Sequence, residues 1–151
     1  MAIEKANSGD ADVLTDITKE SKAYWGYSNE QIKIWSELLT ITKAYIEANH
    51  VYKLVIDSKV IGYYSFFYED ERAIRLDNLF ILPEYIGTGL GKMLMEDFLI
   101  RIKSTIVTKI LLHADPNAGD FYAKFGFTKI GQIETSIKDR YLPVMELKLF
   151  H

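Results

Sequence analysis

The stretch Leu76-Asp77-Asn78-Leu79-Phe80-Ile81-Leu82-Pro83-Glu84-Tyr85-Ile86-Gly87-Thr88-Gly89-Leu90-Gly91-Lys92 decides how the chain is read. An apolar extended run reaches Pro83, passes through glycines at alternate positions and enters an amphipathic segment that continues to Lys103. The pattern is strand, glycine turn, helix. Gly87, Gly89 and Gly91 let the main chain turn with no Cβ in the way, so successive N–H groups can converge on one concavity. The helix that follows adds its own free N–H groups and the positive end of its dipole, and Lys92 stands ready to add a mobile charge. A phosphate suits such a nest.

Many α/β proteins carry a glycine-rich turn after a strand, so spacing has to discriminate. A Walker loop would require glycine in place of Ile86 and Ser or Thr in place of Met93. A dinucleotide fingerprint would require glycine in place of Lys92. Both patterns fail, and a phosphoryl-transfer domain goes with them, since no acidic metal ligand follows another strand convincingly.

The 151 residues suit one domain, 1–151, long enough to bury roughly 70% of the unfolded surface without staples. There is no cysteine, which excludes disulfides, thiolate metal sites and an acyl-cysteine intermediate. His50, His113 and His151 have no ligand spacing, so no metal is expected, and His113 in an apolar strand reads as a packed histidine. With 18 basic and 21 acidic residues the net charge is −3, and no basic cluster marks a nucleic-acid surface. No apolar run approaches a membrane span and Met1-Ala2-Ile3-Glu4-Lys5 has no signal region, so a cytoplasmic location is expected.

From the start, residues 2–5 read as a strand, followed by a helix carrying Val13, Leu14 and Ile17 that exits at Tyr24-Trp25-Gly26-Tyr27. Ser28 and Gln31 form a capping-box pair for a second helix with Ile32, Trp35, Leu38 and Leu39 along one face. A short turn is expected at 42–47. Residues 51–56 and 60–68 are β-branched and aromatic and flank the hairpin signal Asp57-Ser58-Lys59, with a second turn at 69–72. The helix at 89–103 is expected to bury Leu90, Leu94, Met95, Phe98 and Ile102 while Lys92, Glu96 and Arg101 face water. A buried strand at 109–114 leads to Asp115-Pro116, read as an N-cap and first helical position of a helix that runs through Phe125 to Gly126. Strands at 128–137 and 144–150 close an α+β domain, with no repeat or low-complexity tract.

Several residues have the chemistry for a site. Along residues 75–82 the side chains alternate, Arg75, Asp77, Leu79 and Ile81 on one face and Leu76, Asn78, Phe80 and Leu82 on the other. Asp77 has the carboxylate to take a proton from an ammonium or to hold it, or else simply pairs with Arg75. Tyr24, Trp25, Tyr27 and Trp35 either fill core at the joint of two helices or present faces to a cation. Phe121, Tyr122 and Phe125 share a short amphipathic segment, where the phenylalanines read as core.

The glycine turn resembles motif A of the GNAT superfamily of N-acetyltransferases, with Gly89 and Gly91 fitting its pattern and Ile86 standing where Arg or Gln is usual. The stretch Asp115-Pro116-Asn117-Ala118-Gly119-Asp120-Phe121-Tyr122-Ala123-Lys124-Phe125-Gly126-Phe127 resembles the family's motif B, and the order of elements resembles the whole GNAT topology. The tail Ile137-Lys138-Asp139-Arg140-Tyr141-Leu142-Pro143 is similar to that of bacterial small-molecule members. The resemblance implies a mixed, mostly antiparallel sheet of about seven strands with about four flanking helices, its central strands splayed around acetyl-CoA. It implies that the pyrophosphate lies on Ile86, Gly87, Thr88, Gly89, Leu90, Gly91 and Lys92, and that the backbone of Leu79, Phe80 and Ile81 pairs with pantetheine. Asn117 and Phe121 would complete the cofactor site, and Tyr122 would give a proton to the departing thiolate. Asp77 is the nearest candidate base, and Trp25 and Tyr27 fall in the region of the acceptor wall. The implied activity is direct acetyl transfer to a primary amine of a small molecule or peptide. The alternative is a silent acyl-CoA sensor, and a homodimer is as open as a monomer.

Overall fold

The computed structural model describes residues 1–135 and 141–149. In chain order the elements are β1 (Ala2–Lys5), α1 (Ala11–Tyr24), α2 (Asn29–Ile34), α3 (Ser36–Leu39), α4 (Lys43–Ala48), β2 (His50–Ile56), β3 (Lys59–Asp70), β4 (Ala73–Ile81), α5 (Leu90–Lys103), β5 (Lys109–His113), α6 (Gly119–Ala123), β6 (Thr128–Glu134) and β7 (Tyr141–Lys148). The strands form one open, mixed sheet of seven in the order β1-β2-β3-β4-β5-β7-β6, with helices flanking it. β4 and β5 pair in parallel, through Ala73–Lys109, Ile74–Ile110 and Arg75–Leu111. The outer pairs β1–β2, β2–β3, β5–β7 and β6–β7 are antiparallel.

The chain gathers into two compact units, Met1–Phe66 with Asn78–Ile102 and Phe67–Asp77 with the described residues from Lys103 on. In the first, α1 buries Leu14, Ile17, Thr18 and Ser21 at helical spacing. Ser28 Oγ accepts the Gln31 N–H at 3.0 Å, the cap that the sequence suggests. The helix it starts breaks at Trp35, and with the short α4 six helices stand among the described residues where about four were expected. The break also rotates the face: Trp35 and Leu39 are buried, but Leu38, expected inward, is 81% exposed. Asp57 and Ser58 both adopt positive φ, 50° and 65°, the mirror-image turn whose twist suits a two-residue hairpin.

On α5, Leu94, Met95, Phe98 and Ile102 are buried as expected, each contributing about 1.5–3 kcal/mol by leaving water. Leu90 is only half-buried. Arg101 departs from expectation: its guanidinium lies 3.9 Å over the Tyr52 ring and its Nε donates to Tyr64 Oη at 3.0 Å. Tyr64, fully buried, in turn donates to Asp97 Oδ2 at 2.7 Å. That network ties Arg101 to the sheet while its side chain stays 37% exposed.

In the second unit Ile110, Leu112, Tyr122, Phe127 and Met145 are buried. Asp115 does not cap a helix. Its Oδ1 accepts the Asn117 main-chain and Nδ2 hydrogens, both at 2.9 Å, and α6 starts only at Gly119. The aspartate's local turn competes successfully with helix for residues 116–118. β7 starts at Tyr141 rather than 144, and β6 ends at Glu134, while Ile137, Lys138, Asp139, Arg140 and His151 lie outside the described residues.

Candidate active site

In the first unit lie two groups of residues expected to meet a cofactor, one at the end of β4 and one in the turn that enters α5. The Leu82 N–H donates to the Ile61 carbonyl at 2.8 Å, which turns the main-chain groups of Leu82 and, by alternation, Phe80 toward β3. Those of Leu79 and Ile81 therefore face the opposite edge of β4. The Ile81 carbonyl is taken by Ser21 Oγ at 2.7 Å, leaving the Ile81 N–H and the Leu79 N–H and C=O for that edge. β4 is held close to β3 at this point by Gly62, where an added Cβ would stand 2.9 Å from the Phe80 carbonyl oxygen and 2.8 Å from Ile81 Cγ2.

Beyond Pro83, Gly87 and Gly89 adopt φ of +83° and +87°. An added Cβ at either would meet nothing within 4 Å, so glycine is required there by backbone conformation and not by crowding. Thr88 braces the turn, its N–H donating to the Tyr85 carbonyl at 3.3 Å and its hydroxyl to the same oxygen. The Met93 N–H donates to the Gly89 carbonyl at 3.1 Å, so Gly89 supplies the first helical acceptor. The N–H groups of Leu90, Gly91 and Lys92 then have no intrahelical acceptor and point out of the helix start. Thus the donors lie mainly at the first turn of α5 and less in the loop, where Ile86 and Thr88 spend theirs locally. The Lys92 ammonium is exposed, 3.8 Å from Glu96.

The aromatic residues expected near an acceptor divide. Trp25 is 44% exposed and meets Tyr24 edge to face, while Trp35 is buried and receives Tyr27 edge to face at 5.0 Å. Lys22 Nζ lies 5.8 Å from the Tyr27 ring and 5.7 Å from that of Phe80, so Tyr27 and β4 share one cation. Next to that strand, Asn78 Nδ2 donates to Ser65 Oγ at 2.9 Å and to Tyr45 Oη at 3.3 Å, and those two hydroxyls are 2.9 Å apart.

In the second unit the packing on α6 reverses the expectation: Tyr122 is the buried ring, whereas Phe121 and Phe125 are half-buried. Phe121 meets Tyr122 at 5.2 Å between centroids and Phe127 closes the other side at 5.9 Å. Burial, with a smaller effect of the Asp115 charge, pushes the Tyr122 phenol well above its ordinary range. The phenol is therefore neutral and proton-bearing at neutral pH. Tyr122 keeps 9% of its surface exposed. Asn117 is exposed, its amide engaged by Asp115.

Asp77 is exposed on β4. The nearby Arg75 puts Nη2 2.6 Å from His113 Nδ1 and its guanidinium 5.6 Å over the Phe67 ring, with Glu69 at 4.0 Å. Burial first and the Arg75 charge second hold His113 below its ordinary value of 6.5. Nδ1 then accepts from Arg75 and Nε2 carries the imidazole proton. No three His, Asp or Glu group as a metal cluster among the described residues. Among the same residues no helix is long and apolar enough to cross a membrane.

Sequence reading missed Ser21, Asn78 and the Arg75–His113 contact. Ser21 carried a faint signal, since Leu14, Ile17, Thr18 and Ser21 continue one helical face and a hydroxyl there needs a partner.

The family model described as an acetyltransferase (GNAT) domain matches residues 24–147, which draw on both units. The chain belongs to that family. An uncharacterized N-acetyltransferase of Mycobacterium tuberculosis is 30% identical over 98 residues, covering 60% of this chain and 63% of the relative, so the matched part spans less than two thirds of that protein. The PaiA N-acetyltransferase of Thermoplasma acidophilum, solved in complex with coenzyme A, superposes with a TM-score of 0.82 at 23% identity over 99% of this chain and all of the other. A GNAT family acetyltransferase of Elizabethkingia anophelis with acetyl-CoA bound gives 0.68 at 16% identity, over 98% and 97% of the two chains. At these identities the structures establish the fold.

Proposed function

We propose that this chain is a single-domain, acetyl-CoA-dependent N-acetyltransferase that moves the acetyl group directly to a primary amine. The observation that carries the reading is the turn at Gly87 and Gly89, left-handed at both glycines and opening on the unpaired N–H groups of Leu90, Gly91 and Lys92. This fits a pyrophosphate, and the coenzyme A and acetyl-CoA bound in the two neighbours support that ligand here. The main-chain groups of Leu79 and Ile81 would hold the pantetheine arm as an added strand. An N–H on that edge would stabilise the oxyanion as the amine attacks.

Acetyl transfer breaks the thioester C–S bond and forms a C–N bond, so one proton must leave the amine and the thiolate must be neutralised. Tyr122 is the proposed donor to sulfur: its phenol carries a proton at neutral pH and its ring keeps part of its surface exposed. Asp77, on the opposite face of the strand from Asn78, is the proposed acceptor of the amine proton through water, and Trp25 and Tyr27 the proposed acceptor wall. A cytoplasmic location belongs to the same proposal. Calorimetric titration with acetyl-CoA, beside free-thiol release across alkyl diamines, amino sugars, amino acids and peptides, tests it. Binding together with thiol release on at least one amine is the expected result. Binding with no release on any would favour the sensor, and no binding would overturn the assignment of the turn.

A further inference from the structure

We infer that Asn78 is a positioning residue for the acceptor, its side-chain oxygen receiving one N–H of the incoming primary amine. The inference rests on the transferase reading and deepens it. Asn78 lies one residue before the cofactor-type run Leu79, Phe80 and Ile81, inside the same unit. Both hydrogens of its amide are committed, one to Ser65 Oγ at 2.9 Å and one to Tyr45 Oη at 3.3 Å. Ser65 is fully buried and its hydroxyl also meets Tyr45, so the three groups hold the amide plane fixed. What remains is Oδ1, with two lone pairs and no protein donor.

An amide oxygen without a donor is costly when sealed from water. Among the described residues the only sealed side-chain polar atom without a partner is Arg75 Nε, so Asn78 Oδ1 is open to a partner from outside the protein. A fixed, neutral acceptor on the half-buried Asn78 suits a donor with hydrogens to spare. A primary amine has two when neutral: one can rest on Oδ1 while the lone pair attacks and the other hydrogen is lost. As attack proceeds the nitrogen becomes positive, and the N–H···O contact strengthens, so the effect falls on turnover as well as on affinity.

The test compares Asn78→Leu and Asn78→Asp with the wild type on whichever primary amine of the panel reacts. Leucine keeps the volume and removes the oxygen, and it leaves Tyr45 and Ser65 bonded to each other. Aspartate keeps an oxygen for the amine while its other oxygen accepts from the two hydroxyls. We expect kcat/KM for the amine to fall at least about tenfold in Asn78→Leu, to stay within about threefold in Asn78→Asp, and the acetyl-CoA Kd to be unchanged in both. Folded Asn78→Leu protein that binds acetyl-CoA and acetylates the amine as well as wild type overturns the inference alone, and so does an equal loss in both variants. Wild-type protein that reacts with no amine overturns the transferase reading and the inference with it.

Discussion

Replacing Gly62 by alanine tests how firmly β4, the strand proposed to hold the cofactor, is fixed. The added Cβ would stand 2.8 Å from Ile81 Cγ2, 2.9 Å from the Phe80 carbonyl oxygen and 3.3 Å from Leu94 Cδ1. The two side chains can rotate away, but the carbonyl belongs to a strand tied on either side. Leu82 donates to Ile61 on β3, and the Ile81 carbonyl accepts from Ser21 on α1. Relief therefore requires moving β4 and stretching at least one of these bonds. Overpacking of this kind costs about 1–3 kcal/mol. In a chain of this length each kcal/mol lowers Tm by about 2–4 °C, so a drop of about 2–12 °C is expected in thermal unfolding followed by circular dichroism. Because the strain falls on Phe80 and Ile81, acetyl-CoA affinity should fall as well, read by titration well below Tm. A Tm within about 1 °C of wild type would refute the reasoning, since it would mean that β4 is free to yield.

Three further outcomes follow from the same geometry. Gly89→Ala imposes a Cβ at φ +87°, where nothing crowds it, so backbone strain of about 1–2 kcal/mol is the whole effect. It should appear as a lower Tm or, if the turn relaxes, as a roughly 5- to 30-fold weaker acetyl-CoA Kd; no change in either would remove the turn from the site. His113 is held below 6.5 by burial and then by Arg75, so between its folded value and 6.5 the unfolded chain binds more protons, and stability rises with pH through that window. Denaturant midpoints across that range should depend less on pH in His113→Gln, the remaining slope coming in part from His50, which burial shifts the same way; equal slopes would contradict the assignment. Tyr64→Phe removes the hydroxyl shared by Asp97 and Arg101 and should cost about 1–3 kcal/mol in chemical denaturation, without altering thiol release.

The local patterns with one dominant cause were legible. The hairpin turn at Asp57 and Ser58, the cap at Ser28 and the spacing of Leu94, Phe98 and Ile102 each follow from chain geometry within a few residues. Ambiguity entered where local and tertiary forces compete. Asp115 reads equally well as a helix cap or as a local turn, and the turn prevails. Arg101 reads as solvated until the sheet supplies Tyr52 and Tyr64. At the site, glycines 87 and 89 were identifiable because few residues tolerate their φ. The anchoring of Asn78 by Ser65 and Tyr45 was not, since it joins residues 13 and 33 positions apart that carry no mutual pattern. Nor does any sequence rule say which ring of Phe121, Tyr122 and Phe125 turns inward.

The central claim is direct acetyl transfer with the Tyr122 phenol protonating the departing thiolate. Its most direct test is the steady-state rate of thiol release by Tyr122→Phe and wild type on the same amine, with acetyl-CoA affinity measured in parallel. The account predicts a kcat lower by about a hundredfold at an unchanged Kd, because phenylalanine keeps the packing against Phe121 and Phe127 and loses only the proton. A variant that turns over at the wild-type rate would contradict it.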